Sequence, residues 1–160
     1  MVRLLLFLTI MISGCSSDST PVVSQYRLKI STDDAINPTG YNDANPVVIR
    51  IYQLTDQQMF NQLPFIDLYN NDVQLLAANL VSKQVLPVAL PKTTTDVTLD
   101  INKNTQYLAV LVEFANYQQS EPKSVSTLPG NDDQYLQLSV SGLNATLEII
   151  TPDSSWWQIF

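Results

Sequence analysis

Few side chains in this sequence are built for chemistry, and their types exclude more than they suggest. The chain has 160 residues, no histidine and one cysteine. Without imidazole there is no Ser-His or Cys-His nucleophile pair and no histidine-ligated metal. A lone cysteine forms no intramolecular disulfide, so the fold must stand on its hydrophobic core. Cys15 is placed for a different reaction. It closes the run Ile12-Ser13-Gly14-Cys15, which follows Arg3 and an apolar stretch from Leu4 to Ile12 broken only by Thr9. A positive start, a short apolar centre and small residues at the cut make a secretory signal, too short to span a bilayer as a mature helix. Ile12 to Cys15 resembles a lipobox, where signal peptidase II cuts before a lipidated cysteine; Ile12 stands where Leu is usual. Cleavage would remove residues 1–14 and leave Cys15 carrying diacylglycerol and an N-acyl chain, with no other cofactor expected. The plainer reading is a cleaved signal with an incidental cysteine.

The remaining candidates are weaker. Glu113 ends an apolar strand, where burial could raise its pKa and make it an acid; more often such a residue marks where a strand meets water. Asn131, Asp132 and Asp133 lack the spacing of a calcium loop and read as a turn. Asp33-Asp34 opens a long loop and reads as solvated charge. Trp156, Trp157 and Phe160 could anchor a partner, rest at a membrane interface or pack down the last part of the domain. No Gly-rich phosphate loop or paired-carboxylate site is present, so neither an enzyme nor a small-molecule substrate is expected. The net charge of −7, with no basic stripe, disfavours nucleic acid and charge-driven adsorption to anionic lipid. Membrane attachment therefore falls to the acyl chains. One chain binds marginally and two or more bind stably.

These residues need elements to position them. Residues 15–25 are rich in Ser, Thr, Pro and Asp and read as the lipidated cysteine and a flexible tether, followed by one domain over residues 26–160. Ser16, rather than Asp, follows the cysteine, which favours the outer membrane facing the periplasm. Tyr26, Leu28 and Ile30 alternate with polar residues, a strand with one buried face. Asp33 to Asn45 is a loop long enough to suggest function. Pro46 to Leu54 is a second strand. Asp56 can cap a short helix to about Gln62, Pro64 interrupts it, and Asp72 can cap a further turn or two through Asn79. Extended segments follow at Val81–Leu90, Val97–Ile101, Thr105–Phe114, Lys123–Leu128, Tyr135–Ser141 and Ala145–Ile150. Thr105–Phe114, nearly all apolar, should be the most buried. The pattern predicts an all-β fold, an antiparallel two-sheet sandwich with a short helical insertion after the second strand.

Asn37-Pro38, followed by Pro46-Val47-Val48-Ile49-Arg50-Ile51-Tyr52-Gln53-Leu54, resembles the signature of the TssJ (SciN/VasD) lipoproteins of type VI secretion systems. Phe65-Ile66-Asp67-Leu68-Tyr69 is similar to that family's Phe-Phe-Asp-Leu-Tyr stretch, and Tyr107-Leu108-Ala109-Val110 to its central strand. The resemblance covers Tyr26 to Ile150. It departs at Gly40-Tyr41-Asn42-Asp43-Ala44-Asn45, where members often carry Gly-Arg-Pro-Ser. The resemblance implies a transthyretin-like sandwich, an outer-membrane address, and binding to the periplasmic C-terminal domain of the inner-membrane protein TssM. It also implies that the loop between the first two strands makes the contact. The matching positions are Ala35, Ile36, Asn37, Pro38, Thr39, Gly40, Tyr41, Asn42, Asp43, Ala44 and Asn45. Ile36, Pro38 and Tyr41 are the expected anchors, and replacing Ile36 and Tyr41 with Asp is expected to abolish binding without harming the fold. The alternatives are a periplasmic lipoprotein that binds a small apolar ligand inside the sandwich and, less favoured, an envelope hydrolase using Glu113.

Overall fold

The alternating stretches become strands, and a computed structural model describes residues 23–40 and 43–152. One sheet holds β1 (Val23–Thr32), β4 (Thr94–Asn102), β7 (Tyr135–Ser141) and β8 (Asn144–Ile150), in the order β4-β1-β7-β8. The second holds β2 (Ile49–Leu54), β3 (Leu80–Val85), β5 (Tyr107–Val112) and β6 (Lys123–Thr127), in the order β3-β2-β5-β6. Between β2 and β3 lie α1 (Gln58–Gln62) and α2 (Phe65–Leu76). The sandwich with a helical insertion is thus the observed architecture.

Four details correct the expectation. The first sheet is mixed, because β1 and β7 pair in parallel from Leu28↔Leu136 to Thr32↔Val140. These strands are joined through the whole second sheet, a connection long enough to return the chain in the same direction. β1 begins at Val23, so Val23 to Gln25, assigned to the tether, instead pair with Asn102 to Asp100. Pro46 lies outside β2, which starts at Ile49. The longer helix starts at Phe65, directly after Pro64, rather than at Asp72, since the residue before a helix can lack a useful N–H at no cost.

The two faces of the second sheet explain its unbroken apolar sequence. Ile49, Ile51, Leu108, Val110 and Val112 point inward and meet Leu28, Ile30, Leu99, Leu136, Leu138 and Val140 of the first sheet. Tyr52, Leu54, Ala109 and Leu111 point outward, where Phe60, Leu68 and Leu76 of the helices cover them. Leu68, Asp72 and Leu76 form the buried stripe of α2 at helical spacing.

The strand directions give the sandwich two distinct ends. β1 enters at one end, and β8 leaves there, because Ile150 pairs with Tyr135 and Leu136 lies beside Leu28. The loop after β1 and the turn between β7 and β8 lie at the other end, joined where Asn37 N donates to the Gly142 carbonyl at 2.7 Å.

Candidate functional site

The loop between β1 and β2 has a rigid base and a projecting tip. Asn37 adopts a left-handed backbone, φ 50°, which asparagine tolerates better than most residues. Its Nδ2 donates to the Pro46 carbonyl at 3.0 Å, and its Oδ1 accepts from Ala115 N at 2.8 Å. With the Gly142 contact, one buried side chain and its backbone tie the loop to both sheets. Asn45 closes the base: its N donates to the Ile36 carbonyl at 3.0 Å, and its Nδ2 to the Asp43 carbonyl at 2.7 Å. Asp33 Oδ1 accepts from Ala35 N, and Asp33 Oδ2 accepts from the Ser141 hydroxyl. Asp33 is thus a tie between strand ends.

The structure divides the expected contact residues. Ile36 is fully buried in the inter-sheet core, so it cannot be a surface anchor. Replacing it with Asp would bury an unpaired charge, and the expectation of an intact fold is withdrawn. Asn37 is also buried and acts as a support. Pro38, Ala44 and Asn45 are half-buried, while Ala35, Thr39, Gly40 and Asp43 are exposed. Tyr41 and Asn42 lie outside the described residues, as do Cys15, Trp156, Trp157 and Phe160.

Two surface clefts flank the loop. Pro38, Thr39 and Gly40 form one wall of the first, and Ala115, Asn116, Gln119 and Leu143 the other. The second runs from Asn37 and Phe114 to Phe65, Ile66 and Tyr69 of α2 and to Tyr117. There Phe65 stacks between Tyr117, at 4.9 Å between ring centroids, and Tyr69, at 5.6 Å. Ile66 and Tyr69 stay more than one-third exposed.

Under α2 lies a charged cluster that the sequence reading did not assemble. Asp72 is nearly buried; its Oδ2 accepts from Tyr52 OH at 2.7 Å, Arg50 Nη1 at 3.1 Å and Lys83 Nζ at 2.5 Å. Its Oδ1 accepts from Val73 N at 2.7 Å. Arg50 Nε donates to Glu113, so that carboxylate is committed to an ion pair. Burial alone would raise the Asp72 pKa, but donation from Lys83, Tyr52 and Val73 N outweighs it and holds the pKa below the ordinary value. Burial raises the Tyr52 pKa. Two cations and two carboxylates balance, and no buried side-chain N or O among the described residues lacks a partner. The cluster is closed on itself and serves as a clamp for α2. A charged residue at Arg50 within an apolar β-branched strand was the available signal.

At the other end, Asn131 Oδ1 accepts from Asp133 N and Gln134 N, the turn expected there. Among the described residues no group of three or more His, Cys, Asp or Glu could hold a metal ion, and no helix is long and apolar enough to cross a membrane.

The sequence matches the T6SS-SciN family model (type VI secretion lipoprotein; VasD, EvfM, TssJ) over residues 24–143. No curated protein matches it. Among solved structures, it is similar to the T6SS lipoprotein TssJ1 from Pseudomonas aeruginosa: TM-score 0.72, 16% identity, covering 84% of this chain and 100% of that one. It is likewise similar to Serratia marcescens Lip, a membrane-bound component of the type VI secretion system: TM-score 0.70, 18% identity, covering 83% and 100%. A third similar chain is from a structure described as T6SS protein TssM C-terminal domain from EAEC: TM-score 0.63, 19% identity, covering 81% and 100%. At these identities the likeness speaks for the fold.

Proposed function

The chain belongs to the type VI secretion lipoprotein family, and from that premise we propose that it tethers the secretion system's membrane complex to the outer membrane. Cys15, through its acyl chains, holds the membrane side. The tip of the loop after β1 binds the periplasmic C-terminal domain of a TssM-type inner-membrane protein. The protein acts by attachment and binding rather than by turnover. The observation that carries this reading is the loop's construction: an exposed tip at Thr39, Gly40 and Asp43 on a base fixed by Asn37. A fixed base reduces the conformational freedom lost on binding, which favours affinity. The cleft beside Pro38 to Gly40 offers room for partner side chains between the loop and residues 115–119.

The test replaces Thr39, which is exposed, and Tyr41, an anchor expected from the sequence, and spares Ile36 in the core. Thr39→Asp with Tyr41→Asp is expected to abolish capture of the TssM-type domain in a pull-down, with an unchanged circular dichroism spectrum. Full binding by this folded variant would remove the loop from the mechanism.

A further inference from the structure

We infer that helix α2 supplies the second half of the partner-binding surface: the cleft of Phe65, Ile66, Tyr69 and Tyr117 takes an apolar segment of the same TssM-type domain, whose surrounding surface is basic. This rests on the loop contact proposed above. The two clefts beside the loop meet at Ala115, which lines both. Ala115 N donates to Asn37 in the loop base, and Tyr117, two residues on, stacks on Phe65 of α2. Residues 115–119 are therefore a ridge braced from both sides. A partner that reaches Gly40 and the near side of this ridge stands at the rim of the aromatic cleft. The loop alone is too small a contact. Of the eleven positions from Ala35 to Asn45, Ile36 and Asn37 are buried, which leaves nine. A stable interface takes roughly 20–30 residues a side. Neighbouring elements must supply the rest, and α2 offers apolar surface beside the loop.

The cleft has the composition of an interface centre. Tyr117, Phe65, Tyr69 and the Arg50 guanidinium form one stack, with successive separations of 4.9, 5.6 and 4.9 Å. Glu113 and Asp72 hold Arg50 from behind. The rings are thus ordered before any partner arrives, and binding them costs little side-chain freedom. Aromatic residues are enriched at such centres and carry much of the binding energy. Ile66 and Tyr69 lie three positions apart on α2, outside its buried stripe of Leu68, Asp72 and Leu76. They are 41% and 42% exposed, so the core does not account for them. The rim is acidic. Asp43 on the loop, Asp67 on α2 and Glu121 beyond the ridge form no ion pair among the described residues. Lys92 is the only exposed Lys or Arg at the loop end among those residues. Positive charge on the partner would steer it onto this end.

The test measures binding of the full chain to the periplasmic C-terminal domain of the TssM-type protein, by titration calorimetry and by association and dissociation rates. Ile66→Lys is expected to raise Kd about tenfold or more, mostly through faster dissociation. Ile66→Ala removes apolar surface without adding charge and should raise Kd by a smaller factor. Val73→Lys changes an exposed residue of the same helix that does not line the cleft, and should bind as the unaltered chain does. Asp67→Asn with Glu121→Gln should slow association and flatten its dependence on salt. Unchanged Kd in both Ile66 variants, with capture lost in Thr39→Asp with Tyr41→Asp, overturns the cleft and leaves the loop standing. Full binding by that loop variant, with loss in Ile66→Lys, removes the loop and keeps the cleft as the contact. Equal weakening by Val73→Lys would make the effect one of the helix as a whole and overturn the cleft. Association that ignores both carboxylates overturns the basic partner surface. Self-association of the chain alone, removed by Ile66→Lys, assigns the cleft to a second copy instead.

Discussion

Asp72 is held in its charged form by Arg50, Lys83 and the Tyr52 hydroxyl, and stability inherits that preference. Its folded pKa lies below the ordinary value, so the unfolded chain binds more protons in acid. The stability it contributes is present above the unfolded pKa of roughly 4 and is lost as pH falls through the folded one. Urea denaturation should therefore show this contribution steady from neutrality down to about pH 5 and falling in more acid solution, with a shallower fall in Asp72→Asn. Asp72→Ala leaves two cations facing each other beneath a helix and should cost about 3–5 kcal/mol by the same measurement. Asn37 makes a second case. Asn37→Ala loses two side-chain hydrogen bonds and strains a backbone at φ 50°, for a cost of about 1–3 kcal/mol in thermal unfolding. Asn37→Gly loses the same bonds without the strain and should be milder. Arg50, Tyr52 and Asn37 all stood in the family-like motif, yet none could be given its role from the sequence. Their side-chain partners come from residues 9 to 78 positions away.

Helix α2 depends on the sheet more than on its own sequence. It has no side-chain N-cap, and Asn71 breaks its helical geometry at φ −139°. The side chains of Leu68, Asp72 and Leu76, seated on β2 and β5, hold it. Leu68→Ala should cost about 2–5 kcal/mol. It should also raise hydrogen exchange over residues 65–76 more than in β7. Helix α1 ends on Lys123, whose Nζ donates to the carbonyls of Phe60, Asn61 and Leu63, a contact matched to the negative pole of a helix. The strands were legible because alternation registers one-sided burial; Tyr135–Ser141 matches β7 end to end. The helix over residues 65–71 was not, because Pro64 read as a stop and Asp72 as a start. Helix formation there is decided by what lies beneath it.

At the scale of the molecule, the two ends of the sandwich separate two tasks: β1 enters at one, and the loop after β1 projects from the other. Cys15→Ala should leave thermal unfolding of the sandwich unchanged while the protein shifts from the membrane to the soluble fraction; retention with the membrane by the unlipidated variant would overturn the lipid anchor. What the sequence determined by itself was local or additive. The acidic charge, the absence of imidazole chemistry and the alternation that makes strands are each set within a few residues or by composition. What only the tertiary structure decided depended on distant pairing. It put β1 parallel to β7, gathered Asp72 with Arg50 and Lys83, and turned Ile36 from an expected surface anchor into core. An isoleucine in a polar loop reads as exposed until the sheets close over it. Burial is a property of the closed sandwich, and no local stretch of the chain carries it.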